Sequence, residues 1–554
     1  MKGGSGGGGN GNNKDPWGNG NGKSFASILP SRDGKPSPYS SISRIMVLFV
    51  LSIVLIYLLY PIHILLTRPS CPTPDDAADS TTDSVVHLSS PNFTMTSDDI
   101  TTVANPPPPP PQSTSAAIKV APAPPETATG LQHIVFGIAA SSKLWERRKE
   151  YIKLWWRPRQ MRGFVWLDKP VKEFNSSSSA RDLPALRISG DTSRFPYTHR
   201  RGDRSAIRIS RIVSETSRLR LPGVRWYVMG DDDTVFIADN LARVLSRFDH
   251  RQPYYIGSPS ESHVQNIYFS YGMAYGGGGF AISAPLAAAL SRVQDRCLRR
   301  YPALYGSDDR IQACMAELGV PLTRHPGFHQ YDVYGDLLGL LAAHPVAPLI
   351  TLHHLDVVQP IFPRAPSRAA ALGRLFDGPV RLDPAGVMQQ SICYDAKKPW
   401  TVSVAWGFAV LVARGVTSPR EMEMPARTFL NWYRRADYTS YAFNTRPVAR
   451  HPCQRPYVYY LSTARYDKAR RTTVTVYERY RDKRPTCRWR MPDPSALVDH
   501  VIVYKKPDPG LWDRSPRRNC CSVKASPVGK RGDRTMTIDV GVCREGEVTE
   551  FLDS

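Results

Sequence analysis

One long apolar run constrains this chain more than any other feature of its 554 residues: Ile45 to Leu66, IMVLFVLSIVLIYLLYPIHILL. As an α-helix this run is about 33 Å long, enough to cross the roughly 30 Å hydrocarbon core of a bilayer. It is longer than the apolar region of a signal peptide, and 44 residues precede it, which disfavours a cleaved leader. We predict one membrane-spanning helix at residues 45–66, so that the lipid bilayer is one partner of the protein.

The segments on either side of this run predict which way the chain crosses. Several basic residues precede the run, namely Lys14, Lys23, Arg32, Lys35 and Arg44, whereas aspartates dominate the charges that follow it. Basic flanks stay in the cytosol, which places the bulk of the chain on the lumenal side. Residues 1–44 are rich in glycine and asparagine and predict a flexible cytosolic tail. Residues 67–130 are rich in proline, serine and threonine and predict an extended lumenal stem.

The charge balance narrows the classes of partner. The chain has 72 Lys and Arg residues against 49 Asp and Glu residues, a formal net charge of +23. Such a surplus favours anionic partners, which include nucleic acid, phospholipid head groups and nucleotide-linked substrates. Because the bulk of the chain is expected on the lumenal side, nucleic acid is excluded as a partner.

Two different patterns divide the remainder of the chain. From residue 131 to residue 392, short apolar runs such as IVFGIA alternate with helix-like stretches. This alternation predicts an α/β domain, with a largely parallel sheet covered by helices on both faces, an architecture typical of nucleotide-binding proteins. From residue 393 to residue 554, segments such as TVSVAWGFAVLVA and TTVTVYERY predict strands separated by turns, and therefore a β-rich C-terminal domain.

The cysteine pattern disfavours a zinc site and favours disulfides. There are nine cysteines, and no two of them form a CxxC pair. On an oxidising lumenal side, the eight from Cys297 onward can form up to four disulfides, and a bond between Cys297 and Cys314 would staple the segment between them. Adjacent Cys520 and Cys521 are expected in disulfides of the β-rich domain. Cys71 remains, so a disulfide-linked or non-covalent dimer stays open.

The strongest local signal is RWYVMGDDDTVF, an apolar strand that ends in three carboxylates. In open α/β sheets ligands bind beyond the carboxyl ends of the strands, which is where Asp231, Asp232 and Asp233 fall. Adjacent carboxylates repel one another, and a divalent cation such as Mn²⁺ or Mg²⁺ neutralises them. The alternative is an acidic turn that caps the following helix.

Two downstream segments add candidate residues. YGMAYGGGGFAIS contains four consecutive glycines, Gly276 to Gly279, which either let the backbone approach a substrate closely or form a flexible turn. SDDRIQACMAELGV places Asp308 and Asp309 at the start of an amphipathic helix. We expect Asp308 to cap this helix, and we expect Asp309 to be a general base if the fold brings it near the acceptor.

Histidines in two further segments are candidate metal ligands. ITLHHLD ends an apolar run in His353 and His354, and GFHQYD contains His329. A histidine at the end of a strand is commonly structural, but two adjacent ones also suit metal binding. The residues alone leave both interpretations open.

Together these segments resemble a known family. WYVMGDDDTVF, YGGGGFAIS, SDDRIQACMAELGV and GFHQYD, in this order and spacing, are similar to fringe-like and core-1-type beta-1,3-glycosyltransferases. Residues 131–554, with WTVSVAWGF, TFLNWYRR, FNTRP, HPCQRP and PRRNCC, resemble the plant fringe-related family known as a domain of unknown function. The resemblance implies a GT-A fold in a type II membrane protein of the Golgi. It also implies a UDP-sugar donor, Mn²⁺ or Mg²⁺, a glycan or glycoprotein acceptor, and transfer with inversion to a beta-1,3 linkage.

The resemblance assigns the chemistry to a few aspartates. Asp233 matches the metal ligand of the family, and Asp231 helps to bind both the metal and the nucleotide-sugar. Asp309 matches the catalytic base, which takes the proton of the acceptor hydroxyl. Inversion follows because one base acts on the face opposite the departing UDP.

The resemblance also implies residues that bind the nucleotide. Asp232 belongs with Asp231 on the nucleotide-sugar. Arg211 falls where fringe-like enzymes keep a basic residue near the diphosphate. Asp168 and Ala139 are expected to border the uridine.

The two groups of enzymes that the chain resembles differ in the position of the metal-binding histidine. Fringe-type enzymes use a histidine in the segment that aligns with Phe328 to Tyr331, and Tyr331 stands at that position here. Core-1-type enzymes use a later histidine that corresponds to His353. The resemblance therefore favours His353, with His354 and His329 as the alternatives.

A second function remains open from the sequence. A membrane-anchored, lectin-like protein would keep the fold and the nucleotide pocket without turnover, and would use the β-rich region as its binding surface. Intact Asp231, Asp233 and Asp309 favour catalysis, whereas Tyr331 in place of a histidine favours the alternative.

Overall fold

In the computed structural model of the protein, structure is described for residues 128–175, 182–395, 397–435, 437–488, 490–527 and 534–550, and for seven positions between Phe49 and Leu59. Those seven are helical and exposed. The span expected at residues 45–66 lies mainly outside the described residues, as do the tail and almost all of the stem. Within the part described, no helix combines the length and the apolar character needed to cross a membrane.

A seven-stranded sheet organises the first half of the described chain. Its strands are β1 (Ile134–Ala139), β2 (Arg162–Leu167), β3 (Ala185–Ile188), β4 (Trp226–Asp231), β6 (Tyr255–Gly257), β7 (Phe280–Ser283) and β8 (Leu322–Arg324). They lie in the order β3-β2-β1-β4-β7-β6-β8. The pairs of β1 with β2 and β4, of β2 with β3 and of β6 with β8 are parallel, whereas β7 runs antiparallel to β4 and β6. The predicted α/β class with a parallel-rich sheet is confirmed.

Helices cover both faces of this sheet. They are α1 (Trp145–Trp155), α2 (Ser205–Ser217), α3 (Ala238–Leu245), α4 (His263–Tyr268), α5 (Ala284–Arg300), α6 (Asp308–Glu317), α7 (Leu338–Ala342) and α8 (Arg368–Leu375), and α8 continues into a π-helical turn, Phe376–Val380. Ile134, Phe136 and Ile138 of β1 pack in the same core as α1 and α3. Val135 and Ala139 pack with α2, α5 and α6. Because both faces are covered, β1 is buried throughout and its sequence is continuously apolar.

An eight-stranded sheet organises the second half. Its strands are β11 (Gln390–Asp395), β12 (Trp400–Ala405), β13 (Ala409–Arg414), β15 (Tyr457–Asp467), β16 (Thr472–Arg479), β17 (His500–Lys505), β18 (Cys520–Ala525) and β19 (Thr535–Gly541), with the short helices α9 (Pro419–Met422) and α10 (Pro494–Leu497) between them. The order is β11-β12-β13-β15-β16-β17-β19-β18, and only the pair β17 and β19 is parallel among these strands. The predicted β-rich C-terminal region is confirmed.

One short strand pair and a common core join the two halves. β9 (Val333–Gly335) pairs with β14 (Phe429–Asn431) of the second half, whereas β5 (Val235–Phe236) and β10 (Thr351–Leu352) pair within the first half. One hydrophobic cluster extends from β1 to β19, and the described residues from 128 onward belong to one compact unit. The predicted boundary between residues 392 and 393 falls inside β11, and the division into two domains stays a prediction.

Four disulfides pair the eight cysteines from Cys297 onward, as the sequence allows: Cys297–Cys314, Cys393–Cys521, Cys453–Cys487 and Cys520–Cys543. The first joins α5 to α6 and encloses the segment that contains Asp309. Cys393–Cys521 joins β11 to β18, the two outer strands of the eight-stranded sheet, which lie side by side. The sheet therefore curls so that its edges meet, which protects them from pairing with another chain. Cys71 lies outside the described residues.

A buried ion pair ties β17 to the segment after α8. Lys505 Nζ donates to the Asp383 carboxylate, and both side chains are 1% exposed. Loss of one partner from such a pair leaves an uncompensated charge in a nonpolar environment, which destabilises the fold more than loss of both.

We predict that Lys505→Ala lowers the free energy of unfolding by about 3–5 kcal/mol, because the Asp383 carboxylate is left buried without its partner. The double change Lys505→Met with Asp383→Leu should recover most of this loss. Urea unfolding followed by tryptophan fluorescence measures both. Glu150→Ala, which removes an exposed pair with Lys153, is the control and should change the free energy by less than about 1 kcal/mol. A similarly small effect of Lys505→Ala would contradict the prediction.

Candidate functional site

The candidate site lies at the carboxyl ends of the parallel strands β1, β2 and β4. Ala139 at the end of β1 is paired in register with Asp231 on β4 and with Trp166 on β2. Asp168 follows β2, and its carboxylate accepts hydrogen bonds from Ser142 N (2.7 Å) and Ser142 Oγ (3.2 Å). The structure thus brings Ala139, Asp168 and Asp231 to the edge of the sheet where open α/β folds bind ligands.

Three side chains converge at this edge in the way that metal binding requires. Asp231, Asp233 and His353 each offer one ligand atom, and the three atoms lie within 4.8 Å of one another. His353 Nε2 is 3.3 Å from Asp233 Oδ1 and 3.9 Å from Asp231 Oδ2. The side chains of Asp233 and His353 are buried, whereas that of Asp231 is 36% exposed, so the cluster opens to solvent beside Asp231.

The hydrogen bonds of His353 leave a lone pair directed at the carboxylates. Its Nδ1 is 3.1 Å from the backbone oxygen of Gln330, which can only accept, so Nδ1 carries a proton and donates it there. Burial and the adjacent His354 lower the pKa of His353, which favours the neutral ring with Nε2 unprotonated. In that form Nε2 and Asp233 Oδ1 are two acceptors 3.3 Å apart, an arrangement that fits a divalent cation.

The neighbouring acids reinforce the need for positive charge. Burial, followed by repulsion from Asp233 and Asp308, raises the pKa of Asp231 well above its ordinary value. Burial also raises the pKa of Asp232 to about 6, although Arg148 opposes this shift. Carboxylates that are held close together and away from water bind cations that restore the charge balance.

Arg148, on α1, joins the two segments that carry the metal-site residues. Its Nη1 is 2.8 Å from Asp232 Oδ1, its Nη2 is 3.0 Å from Asp233 Oδ2, and its Nε is 3.2 Å from Asp356 Oδ2. Asp356 follows His353 in the ITLHHLD segment, so one guanidinium holds both segments. The sequence analysis missed Arg148. The charged character of α1 was its only signal, because Asp232 and Asp356 lie 84 and 208 residues away along the chain.

The four glycines let the backbone lie directly against the site. A Cβ added to Gly277 would be 2.1 Å from His353 Cε1, and one added to Gly276 would be 2.6 Å from Asp308 Oδ1. Gly278 N also donates to Gln330 Oε1 at 2.6 Å. Of the two interpretations that the sequence left open, close approach of the backbone is the one that the geometry supports.

The other two candidate histidines are engaged elsewhere. His354 Nδ1 is 3.2 Å from Asp332 Oδ1. His329 Nδ1 is 3.0 Å from Glu261 Oε1, within a buried network that the sequence did not indicate. Neither histidine belongs to the cluster with the two aspartates, so the geometry favours His353 among the three.

Two turns with unusual backbone angles, one at Tyr331 and one at His354, meet beside His353. Tyr331 and His354 both have left-handed backbones, with φ of 52° and 54°. His354 Nδ1 is 3.2 Å from the Tyr331 carbonyl oxygen, and the Tyr331 ring is buried and stacks on His329. Each such backbone is strained by about 1–3 kcal/mol in a residue other than glycine, and strain of this kind concentrates at functional sites. Tyr331 is therefore part of the turn that holds the histidines.

Asp308 and Asp309 lie at the start of α6, with Asp308 against the glycines. The Asp309 carboxylate accepts hydrogen bonds from Tyr305 N (2.7 Å) and Gly306 N (3.0 Å), and its side chain is 13% exposed. Asp308 is more deeply buried, and burial raises its pKa to about 7. Because its charge also raises the pKa of Asp231, Asp308 belongs to the acidic edge as well as to the helix start. The role of Asp309 as a base stays a prediction.

The structure does not bring Arg211 to this edge. Arg211 pairs with Glu215 (2.9 Å) and Asp295 (3.0 Å), which occupy its guanidinium. Arg208, one helical turn earlier on α2, donates instead to the carbonyl oxygens of Ala140 (3.0 Å) and Trp166 (3.1 Å), directly after β1 and within β2. Among the residues with a described structure, no carboxylate forms an ion pair with Arg208. The basic residue at this edge of the sheet is therefore Arg208, on the same helix as the Arg211 that the resemblance indicated.

Comparisons with known proteins agree with this architecture. A family model described as "Fringe-like" matches residues 129–337, and a second, "Protein of unknown function, DUF604", matches residues 265–521. The two matches overlap across the glycines and the Asp308–Asp309 segment. Over residues 129–521 the chain is therefore similar to fringe-related, beta-1,3-glycosyltransferase-like proteins.

Individual relatives match smaller parts of the chain. It is 32% identical over 140 residues to a beta-1,3-glucosyltransferase of Mus musculus, across 24% of this chain and 27% of that protein. It is 31% identical over 105 residues to a beta-1,3-glucosyltransferase of Homo sapiens, across 19% of this chain and 20% of that protein. The chain thus spans about a quarter of the length of these relatives. Among solved structures, mouse xyloside xylosyltransferase 1 in its apo form matches with a TM-score of 0.26 and 8% identity, covering 35% of this chain and 84% of that one.

We predict that Gly277→Ala weakens Mn²⁺ binding at least about tenfold, because the added methyl group displaces the His353 ring. Gly272→Ala is the matched control, since the nearest atom to its Cβ is Ser270 Oγ at 3.4 Å, and it should leave the affinity unchanged. Electron paramagnetic resonance of free Mn²⁺ measures both without a substrate. Equal affinities in the two variants would contradict the assignment of His353 to a metal site.

Proposed function

We propose that this protein is a metal-dependent glycosyltransferase that moves a sugar from a UDP-sugar to a hydroxyl group of a glycan or glycoprotein. The observation that carries the proposal is the convergence of Asp231, Asp233 and His353 at the carboxyl edge of the seven-stranded sheet. Similarity to fringe-like proteins and partial identity to beta-1,3-glucosyltransferases support a beta-1,3 linkage, formed with inversion on a GT-A-like fold.

The nucleotide of the donor is proposed to bind along the edge formed by β1, β2 and β4. Ala139 and Asp168 would border the uridine, and Asp232 would lie between the nucleotide and Arg148. Arg208 would contact the diphosphate, because its guanidinium is held at this edge by backbone oxygens and not by a carboxylate. A phosphate oxygen can supply the anionic partner that Arg208 lacks among the described residues.

The metal ligands proposed are Asp231, Asp233 and His353. A bound Mn²⁺ or Mg²⁺ would neutralise the negative charge that develops on the departing UDP. The protein contributes a fixed geometry: the Gln330 carbonyl holds the tautomer of His353, and Arg148 holds the carboxylates of Asp232 and Asp233. Fixed ligands of this kind lose little entropy when the cation binds.

Asp309 is proposed as the general base. Its carboxylate would take the proton of the acceptor hydroxyl while that oxygen attacks the anomeric carbon, and the bonding electrons would leave with UDP. Two backbone N–H groups fix the carboxylate, and its partial exposure leaves it accessible to the acceptor. A single base on the face opposite UDP produces inversion.

The proposed location is the Golgi membrane, with residues 45–66 as a single-pass type II anchor and the catalytic part in the lumen. The apolar run and its basic N-terminal flank support this orientation. The four disulfides suit an oxidising compartment. Protease protection of tags at each terminus in intact microsomes tests the orientation, and non-reducing electrophoresis of the same material tests a dimer through Cys71.

The direct test of the function is release of UDP from a panel of UDP-sugars, with Mn²⁺ or EDTA, in the presence and absence of a mixed glycan and glycoprotein acceptor extract. The proposal requires release that depends on metal, selects one donor and rises with acceptor. Asp233→Asn should abolish it, whereas Asp239→Asn, at an exposed carboxylate, should not. Protein that binds UDP and Mn²⁺ but releases nothing with any donor and acceptor would overturn the transferase and favour the lectin-like alternative.

We predict that Asp309→Asn lowers the rate of transfer by about 10²–10⁴-fold and leaves the affinities for Mn²⁺ and UDP unchanged, because the base acts only in the chemical step. Asp308→Asn should mainly alter the Mn²⁺ affinity, since it removes a buried charge near Asp231. Single-turnover kinetics and Mn²⁺ titration separate the two effects. The opposite pattern, with the rate lost only in Asp308→Asn, would exchange the two roles.

A further inference from the structure

A cavity beside α4 includes none of the metal-site residues in its lining, and the proposed chemistry gives it no role. One wall carries His263 and Tyr271, from α4 and the loop after it. The other carries Arg427, Tyr438 and Asn444, from the segment around β14. The cavity has a volume of about 380 Å³, within the range of about 300–1,000 Å³ that small-ligand sites occupy.

The lining of this cavity suits a neutral, partly apolar ligand. Aromatic rings dominate it, including Tyr271, Tyr438 and Tyr441. None of the described side chains that line it is a carboxylate, and the Arg427 guanidinium already donates to Thr445 O (3.3 Å) and Thr445 Oγ1 (2.9 Å). A cationic ligand would therefore find no anionic partner there, whereas hydroxyl groups can accept hydrogen bonds from the Arg427 guanidinium. Sugar rings combine apolar C–H faces, which pack on aromatic rings, with hydroxyl groups that need polar partners.

The walls of the cavity continue into the turn that supports the metal-site histidines. Ser262 forms a β-bridge with Tyr441, and Ala442 N donates to Glu261 O at 3.0 Å. The Glu261 side chain in turn accepts a hydrogen bond from Tyr331 N at 2.7 Å, in the turn beneath His353. The segments that line the cavity are thus hydrogen-bonded to the elements that position the metal-site residues.

The cavity also adjoins the loop that leads to the glycines. Tyr271 precedes Gly276 in this loop, and Arg324 at the end of β8 fixes it by donating to the Tyr271 carbonyl oxygen at 2.8 Å. His263 Nδ1 and Tyr271 Oη are 2.6 Å apart, so this wall has a fixed shape. The opposite wall is open to solvent, because Tyr438 is 68% exposed.

We propose that this cavity binds the acceptor, and that the acceptor is a neutral oligosaccharide with a sugar unit against Tyr438. The inference rests on the proposed function, because it gives the cavity a role in the same reaction. Contacts to sugar units away from the reacting hydroxyl group raise affinity for the acceptor without taking part in bond formation. Tyr438 is therefore a specificity residue, and the donor half of the site does not depend on it.

The experiment uses the full-length protein in detergent, with the variants Tyr438→Ala and Tyr466→Ala. Tyr466 lies on β15 and is 44% exposed, so it is a matched control outside the cavity. Each protein is applied to an array of neutral oligosaccharides of two or more units, the corresponding monosaccharides and charged glycans. The affinities for UDP and Mn²⁺ are measured on the same preparations.

The expected result is binding of a neutral oligosaccharide that is at least about tenfold weaker in Tyr438→Ala, unchanged in Tyr466→Ala, and accompanied by unchanged UDP affinity in both. Equal binding by wild type and Tyr438→Ala would overturn the inference, as would preference for charged glycans. Binding of UDP without binding of any oligosaccharide would overturn it and leave the proposed function standing. Oligosaccharide binding without UDP binding would overturn the transferase and keep the cavity as a carbohydrate site.

Discussion

The structure depends on how it balances buried negative charge at the end of β4. Asp232 and Asp233 are 2% and 1% exposed, and two buried carboxylates side by side would destabilise the fold if they were left unpaired. Arg148 provides a cation to both of them and to Asp356, so α1 has to pack where its guanidinium reaches all three. The same contacts bring the segment that carries His353 to the edge of the sheet. The contacts that balance the buried charge are therefore the same contacts that assemble the site.

The β-rich region packs against the candidate site. β14 pairs with β9 beside the histidine turn, and Trp432, directly after β14, stacks on the His354 ring at 5.2 Å between ring centres. The eight-stranded sheet also shares its hydrophobic core with β1 and α1. The C-terminal region also supplies one wall of the aromatic cavity.

Sequence reasoning succeeded where local pattern was sufficient and failed where the partner lay far away in the chain. The apolar strand before Asp231 and the glycines before Phe280 were both found, because each pattern is complete within a short segment. Arg211 was predicted from the resemblance, whereas the residue at the sheet edge is Arg208, one turn earlier on α2. The 3.6-residue period gives the buried face of a helix, but not which end of that face meets the sheet edge. Arg148 was missed because its partners come from segments far along the chain.

The sequence by itself determined the kinds of elements, their order, the acidic end of β4 and the number of cysteines able to pair. These properties follow from residue periodicity and side-chain chemistry, which are local. Only the tertiary structure decided that His353 joins the aspartates and not His354, that Cys393 pairs with Cys521, and that Arg208 reaches the carboxyl ends of β1 and β2. Adjacent residues such as His353 and His354 have the same local chemistry, and they differ only in backbone conformation and in the distant groups that packing places against them.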